Sequence, residues 1–122
     1  MDSSIDIFVP GRLCLFGEHS DWAGIHRMIN ADIVPGYAIV SGVEQGIYAT
    51  VRKYETFAVR SALEIYQGEC LECVMGDELD RVAQEGGFFS YVAGVASYVR
   101  NNYSVGGLEI NITKMDLPIK SG

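Results

Sequence analysis

The sequence predicts an α+β domain, a mostly antiparallel sheet with helices on one side, and three observations carry that prediction. The first half alternates short apolar, β-branched runs with glycine-containing breaks, as strands joined by turns do. Between residues 77 and 99 the apolar period lengthens from two to about 3.6 residues, the spacing of one helical face. Then Leu108-Glu109-Ile110-Asn111-Ile112-Thr113 alternates strictly, the pattern of a half-buried strand. Strands, then helices, then a strand places the helices against one face of a sheet.

Taken in order, residues 5–9 and 13–16 are two apolar pieces split by Pro10-Gly11. They predict a first strand bent or bulged at that pair, with residues 13–16 buried. Residues 21–36 are irregular by composition, holding Gly24, Asn30, Pro35 and Gly36. Two strand-like runs, 38–43 and 47–51, flank Glu44-Gln45-Gly46 and predict a hairpin turning near Gln45-Gly46. Residues 57–60 and 63–66 add short strands, which makes the first half a meander. Asp77 is expected to cap a short helix holding Leu79, Val82 and Ala83, stopped by Gly86-Gly87. Phe88, Val92, Val95 and Val99 share one face at helical spacing and predict the buried side of a second helix, which Asn101-Asn102 ends.

The chain has 122 residues, one domain by length, and 48% of them are apolar, enough to fill a core. Nine basic against sixteen acidic side chains give a net charge of −7. That balance disfavours a nucleic-acid surface, which needs a basic stripe to displace counterions from phosphates. No run approaches about 18 consecutive apolar residues, so no membrane partner is expected. Met1-Asp2-Ser3-Ser4 lacks the basic start of a secretion signal, and three cysteines make no closed disulfide framework. The expected setting is a reduced, soluble, cytoplasmic one.

Cys70-x-x-Cys73 could be half of a zinc site, but Cys14, His19 and His26 supply no second pair at ligand spacing. Packing is the expected role, and no metal site is assigned. Lys114 and Lys120 read as lone solvated bases, and the aromatic residues are not interleaved with basic ones.

The stretch 11–24, GRLCLFGEHSDWAG, is different. Glu18, His19 and Asp21 follow an apolar strand, and Gly17 permits close backbone approach where the strand ends. Carboxylates accept hydrogen bonds from vicinal hydroxyls and histidine donates or accepts, a set suited to a polyol. A guanidinium such as Arg12 stabilises an alkoxide or a transferring phosphoryl group.

PGRLCLFGEHSDW, residues 10–22, resembles the N-terminal signature of the galactokinases, and so of the GHMP family of small-molecule kinases. Pro10, Gly11, Arg12, Gly17, Glu18, His19 and Asp21 match that pattern; Cys14 stands where asparagine is usual, and Trp22 where tyrosine is usual. Asp21 leans the resemblance toward sugar kinases, because mevalonate kinases continue past Gly-Glu-His with an apolar run. The strand 108–113 followed by KMDLPIKSG is similar to the lead into the family's phosphate loop, with Pro118 and Gly122 at its first and fifth positions. GYAIVSGVEQGIYATV is similar to the family's hairpin.

The resemblance implies the fold of the GHMP kinase N-terminal domain, incomplete, with residues 1–122 its substrate-side half. The helix behind the ATP loop and the C-terminal domain are expected to be absent. The implied parent is an ATP-dependent sugar kinase using Mg²⁺, with Arg12 catalytic and Glu18, His19 and Asp21 binding the sugar. Lys120, Ser121 and Gly122 would start the ATP phosphate loop. The chain alone is expected to be inactive and to bind neither ATP nor Mg²⁺ tightly. The alternative is a non-catalytic α+β module that self-associates or complements another chain. A homo-oligomer through exposed apolar surface is expected, with residues 108–113 at an open sheet edge.

Overall fold

The computed structural model describes residues 3–18, 23–61, 63 and 70–117. Its elements are β1 (Ser4–Phe16), α1 (Ala23–Arg27), β2 (Ile39–Lys53), β3 (Phe57–Ser61), β4 (Leu71–Cys73), α2 (Asp77–Gln84), α3 (Ser90–Asn102) and β5 (Leu108–Met115). They divide into two compact units: Met1–Phe8 with Ile47–Met115, and Val9–Gly46 with Asp116–Gly122.

The first unit holds the packed core. The sheet order is β1-β2-β5-β3-β4. β5 runs antiparallel to β2 and parallel to β3, and β3 runs antiparallel to β4. Thr50 Oγ1 donates to Asp6 Oδ1 at 2.9 Å, and the Phe8 and Tyr48 rings lie 4.8 Å apart. As β1 advances its β2 partners recede, so these strands are antiparallel as well. The strictly alternating strand is therefore central rather than at an edge, and the sheet is not a meander. A parallel β3–β5 pair needs a long crossover, and the chain between them supplies it with β4 and two helices.

Alternation sorts the two faces of this sheet. Phe57, Val59, Leu71 and Cys73 are buried with Leu79 of α2 and Ala93 of α3, and Leu108, Ile110 and Ile112 pack against that cluster. Arg52, Arg60, Glu72 and Glu109 share the opposite face through the register Arg52–Glu109, Ala58–Glu109 and Ala58–Glu72. Both core helices therefore lie on one side, as the sequence predicts.

The helices differ from expectation in detail. Gly76, not Asp77, is the N-cap of α2, and no side chain of the cap bonds the helix. Asp77 instead opens the helix beside Glu78 and Asp80, where acidic groups complement the helix dipole. The Glu78 carboxylate accepts the Val74 N–H at 2.8 Å, and Gly86 closes the helix region at φ +73°. In α3 the buried face is Phe89, Ala93 and Ala96, whereas Phe88, Val92 and Val95 are exposed. A polar clasp sets this rotation: Asp80 of α2 accepts Ser97 Oγ at 2.5 Å and Arg100 Nη2 at 3.0 Å. Ser97 and Arg100 lie on the same side as the two alanines, so the clasp turns the small residues inward and the valines out.

In the second unit β2 passes straight through Gln45-Gly46, and the expected hairpin is a single strand of 15 residues. A tight turn there would place Gly46 at positive φ, yet the positive-φ glycines among the described residues are Gly17 and Gly86. Gly46 is buried and its carbonyl accepts the Asp116 N–H at 2.9 Å. The break in alternation is a bulge between Tyr48 and Ala49, within the first unit. β1 likewise continues through Pro10-Gly11, and Pro10 is accommodated because β1 is the sheet's edge strand. Leu13, Leu15 and Phe16 are 50–70% exposed, against the expectation of burial. The only buried positions among the described residues of this unit are Gly11 and Gly46. The irregular stretch contains the short helix α1. Leu63 is irregular, and the rest of the expected strand at 64–66 lies outside the described residues.

Candidate functional site

The site is built on the second half of β1. Gly11 is buried there because the chain crosses it closely. A Cβ at Gly11 would lie 2.6 Å from Leu117 Cδ1 and 3.1 Å from Val43 Cγ2. Leu117 immediately precedes Pro118, and Gly11 immediately precedes Arg12. The second unit thus brings Leu117 against β1 at Gly11, although the two residues stand at opposite ends of the sequence. The Asp116–Gly46 backbone bond fixes the same approach.

Arg12 is exposed on this strand and makes no hydrogen bond or ion pair among the described residues. A guanidinium held on a strand without a carboxylate partner remains open to an anionic ligand. Two residues on, the half-buried Cys14 thiol lies 3.3 Å from the Phe16 carbonyl.

The strand ends at Gly17, which only glycine can occupy. Its φ is +86°, and a Cβ would stand 1.9 Å from the Tyr37 carbonyl oxygen. The backbone is therefore pressed against Tyr37 as it leaves the strand, and Glu18 follows in an exposed turn. His19 and Asp21 lie outside the described residues, as do Lys120, Ser121 and Gly122. Of the predicted site residues, the structure describes Arg12 and Glu18, both in the second unit.

The first unit contains a charged cluster that sequence reasoning missed. Glu109 accepts from Arg52 Nε at 2.5 Å and from Arg60 Nε at 2.9 Å, while Arg60 Nη2 reaches Glu72 at 2.6 Å. The Arg52 hydrogen bond, followed by the weaker pull of Arg60, holds the Glu109 carboxyl below its ordinary range, against the opposing effect of burial. Hydrogen bonding to Glu109 raises the Arg60 guanidinium in turn. A signal existed: Glu109 occupies a polar position of the alternating strand and needs cross-strand cations. Each charge is already matched, so the cluster reads as a strand tie.

The remaining candidates resolve as packing. Cys73 is buried in the core, where burial pushes its thiol up, and Cys70 is exposed; both are free. Among the described residues no group of three or more His, Cys, Asp or Glu side chains could hold a metal ion. Lys114 is exposed but not alone, because its Nζ stands 4.9 Å from the Tyr48 ring centroid. No helix among the described residues is long and apolar enough to cross a membrane.

No family model matches the chain. It is 30% identical over 121 residues to the galactokinase of Pyrococcus furiosus, covering 98% of this chain and 29% of that protein. The Lactococcus lactis galactokinase complexed with galactose superposes with a TM-score of 0.65 at 25% identity, covering 95% of this chain and 27% of that one. The mevalonate kinase of Methanococcus jannaschii gives a TM-score of 0.68 at 19% identity, covering 98% and 35%, a likeness of fold. The chain spans about a third of the length of these relatives. In sequence the chain is similar to about a third of a galactokinase, and in fold it resembles the corresponding part of galactokinases and mevalonate kinases, which are GHMP kinases.

Proposed function

We propose that this chain is the substrate-side part of an ATP-dependent sugar kinase, a cytoplasmic enzyme that transfers a phosphoryl group to a sugar hydroxyl. One observation supports this most: Leu117, immediately before the phosphate-loop-like residues in the sequence, packs on Gly11 beside Arg12, which has no hydrogen-bond or ion-pair partner among the described residues. Sugar-reading and phosphate-reading segments have to converge in such a reaction.

In this reading Glu18 and Asp21 accept hydrogen bonds from sugar hydroxyls, and His19 donates or accepts as the hydroxyl pattern requires. Several acceptors at one strand end discriminate against a deoxy analogue by leaving a carboxylate unmatched. Arg12 stands at the transferred group, where negative charge shifts between oxygens and a fixed cation acts most strongly. Lys120, Ser121 and Gly122 begin the backbone cradle for the ATP phosphates. Bound ATP with Mg²⁺ supplies the phosphoryl group and part of the charge neutralisation. Arg12, exposed and without a partner among the described residues, suits an anionic neighbour of this kind.

The 122-residue chain by itself is expected to show no sugar-dependent turnover of ATP, because catalysis rests on positioning the triphosphate. Saturable, Mg²⁺-dependent ADP release from the pure chain with any hexose would overturn that expectation. A second reading, a non-catalytic self-associating or complementing module, is favoured by the exposed apolar residues of β1, α1 and α3. The encoding DNA after Gly122 separates the two: an open frame completing the phosphate loop supports the kinase, and a stop codon supports the module.

A further inference from the structure

The chain that leaves β1 at Gly17 comes back to it. After α1 it returns so that the Tyr37 carbonyl presses against the glycine backbone. Apolar burial does not shape this return path, because Ile25, Met28, Ile29 and Val34 are all more than 70% exposed. α1 itself has five residues, too few to sustain a helix unaided. Polar bonds therefore set the path.

Most of them are short-range. The His26 carbonyl accepts the Ile29 and Asn30 N–H groups at 3.2 and 2.9 Å. Asn30 Oδ1 accepts the Asp32 N–H at 3.0 Å, and the Asn30 carbonyl accepts the Ile33 N–H at 3.4 Å. Arg27 reaches furthest. Its Nε donates to the Ile33 carbonyl at 3.0 Å, tying the end of α1 to the segment that leads into Tyr37. The donor is charged, which strengthens this bond over its neutral neighbours.

We propose that Arg27 is a positioning residue for Glu18. Arg27 holds the Ile33 carbonyl and so fixes where the chain arrives at Tyr37. Tyr37 backs Gly17, and Gly17 aims Glu18 as the strand ends. All of these residues belong to the second unit. Arg27 lies outside the 10–22 signature and acts without touching the sugar. This positioning rests on the reading of Glu18 as an acceptor for a sugar hydroxyl. An acceptor already held in place binds more tightly, because less freedom is lost when the ligand arrives.

Two variants separate the hydrogen bond from the charge. Arg27→Ala removes both. In Arg27→Gln the amide nitrogen stands as many bonds from the backbone as the arginine Nε, so the donor stays and the charge goes. In the 122-residue chain, Arg27→Ala should quicken amide exchange at Gly17 and Glu18 about tenfold while β5 stays protected. Arg27→Gln should restore most of that protection. On the full open reading frame, Arg27→Ala should raise the sugar KM about tenfold, equivalent to about 1.4 kcal/mol, with kcat changed by less than about twofold. Exchange at Gly17 and Glu18 that is indifferent to Arg27→Ala overturns the proposal whatever the kinetics show. Arg27→Gln as impaired as Arg27→Ala overturns it too, by making the residue a charge that acts on a ligand. A loss of kcat at unchanged KM does the same. Glu18→Gln checks the underlying reading separately. An unchanged sugar KM there sinks Glu18 as a sugar acceptor, and the exchange result still decides whether Arg27 positions it.

Discussion

The two units of this chain are almost equally rich in apolar side chains and use them in opposite ways. In the first unit Phe57, Val59, Leu71, Cys73, Leu79 and Ala93 are less than a tenth exposed, and alternation along β3, β4 and β5 decides which side chains enter. In the second unit Ile25, Met28, Ile29, Val34 and Tyr37 are all more than 70% exposed. What orders that unit is backbone proximity at glycine: Gly11 against Leu117 and Val43, Gly17 against Tyr37, Gly46 bonded to Asp116. Side-chain burial stabilises the first unit, and close main-chain packing shapes the second. The candidate site belongs to the second, which fits a general division between a stable scaffold and a functional segment set by local geometry.

That contrast can be broken by substitution. The largest effect is expected at the centre of the first core. Leu79 is fully buried, so Leu79→Ala should cost about 3 kcal/mol of unfolding free energy, read from the urea midpoint. A loss below about 1 kcal/mol would mean that the core tolerates a cavity and that burial is not what holds this unit.

Gly17→Ala should come next, at about 2 kcal/mol, from the positive φ and the collision with the Tyr37 carbonyl. Its signature is local. Amide hydrogen exchange should quicken at Gly17, Glu18 and Tyr37 while β5 remains protected. Uniform loss of protection would show that the two units do not respond separately.

A smaller, pH-dependent effect is expected from Glu109. Its carboxyl is held below the ordinary value of 4.5, chiefly by the hydrogen bond from Arg52. A lowered native value means that the unfolded chain takes up this proton first as pH falls. The stabilisation is therefore complete above 4.5 and disappears as pH drops through the lower native value. Urea midpoints measured down through that range should fall less steeply for Glu109→Gln than for the unmodified chain. Parallel curves would remove Arg52 and Arg60 as the cause.

The smallest effect sharpens the contrast from the other side. Met28 is 86% exposed, and Met28→Ser should change the urea midpoint by no more than about 0.5 kcal/mol equivalent. A loss approaching that of Leu79→Ala would show a hidden core in the second unit.

How much of this was legible in the sequence follows the same division. Residues 108–113 alternate because one face is buried and the other wet, and the structure has a strand there whose faces sort as read. Leu79, Val82 and Ala83 likewise marked a helix face that does enter the core. The position of β5 in the sheet was not legible, because alternation reports on faces and says nothing about neighbours. The orientation of α3 misled, since both of its faces are apolar and the Asp80 clasp on Ser97 and Arg100 decides between them from another helix. Gln45-Gly46 misled because glycine serves close packing as readily as a turn. At the site, Gly17 was legible as a close approach, and the structure puts Arg12 within β1 and Glu18 in the turn that follows it. The meeting of Leu117 with Gly11 is a long-range contact that no local pattern announces.

The proposed division, Arg12 at the transferred phosphoryl group and Asp21 on the sugar, is tested most directly by parallel steady-state kinetics on the full open reading frame. Sugar-dependent ADP formation should show Asp21→Ala raising KM for the sugar, equivalent to about 2–3 kcal/mol for a lost charged hydrogen bond, with kcat much less affected. Arg12→Ala should lower kcat far more than it raises that KM, because its charge is needed most as the phosphoryl group moves. An unchanged sugar KM in Asp21→Ala, or an unchanged kcat in Arg12→Ala, would contradict the role given to that residue.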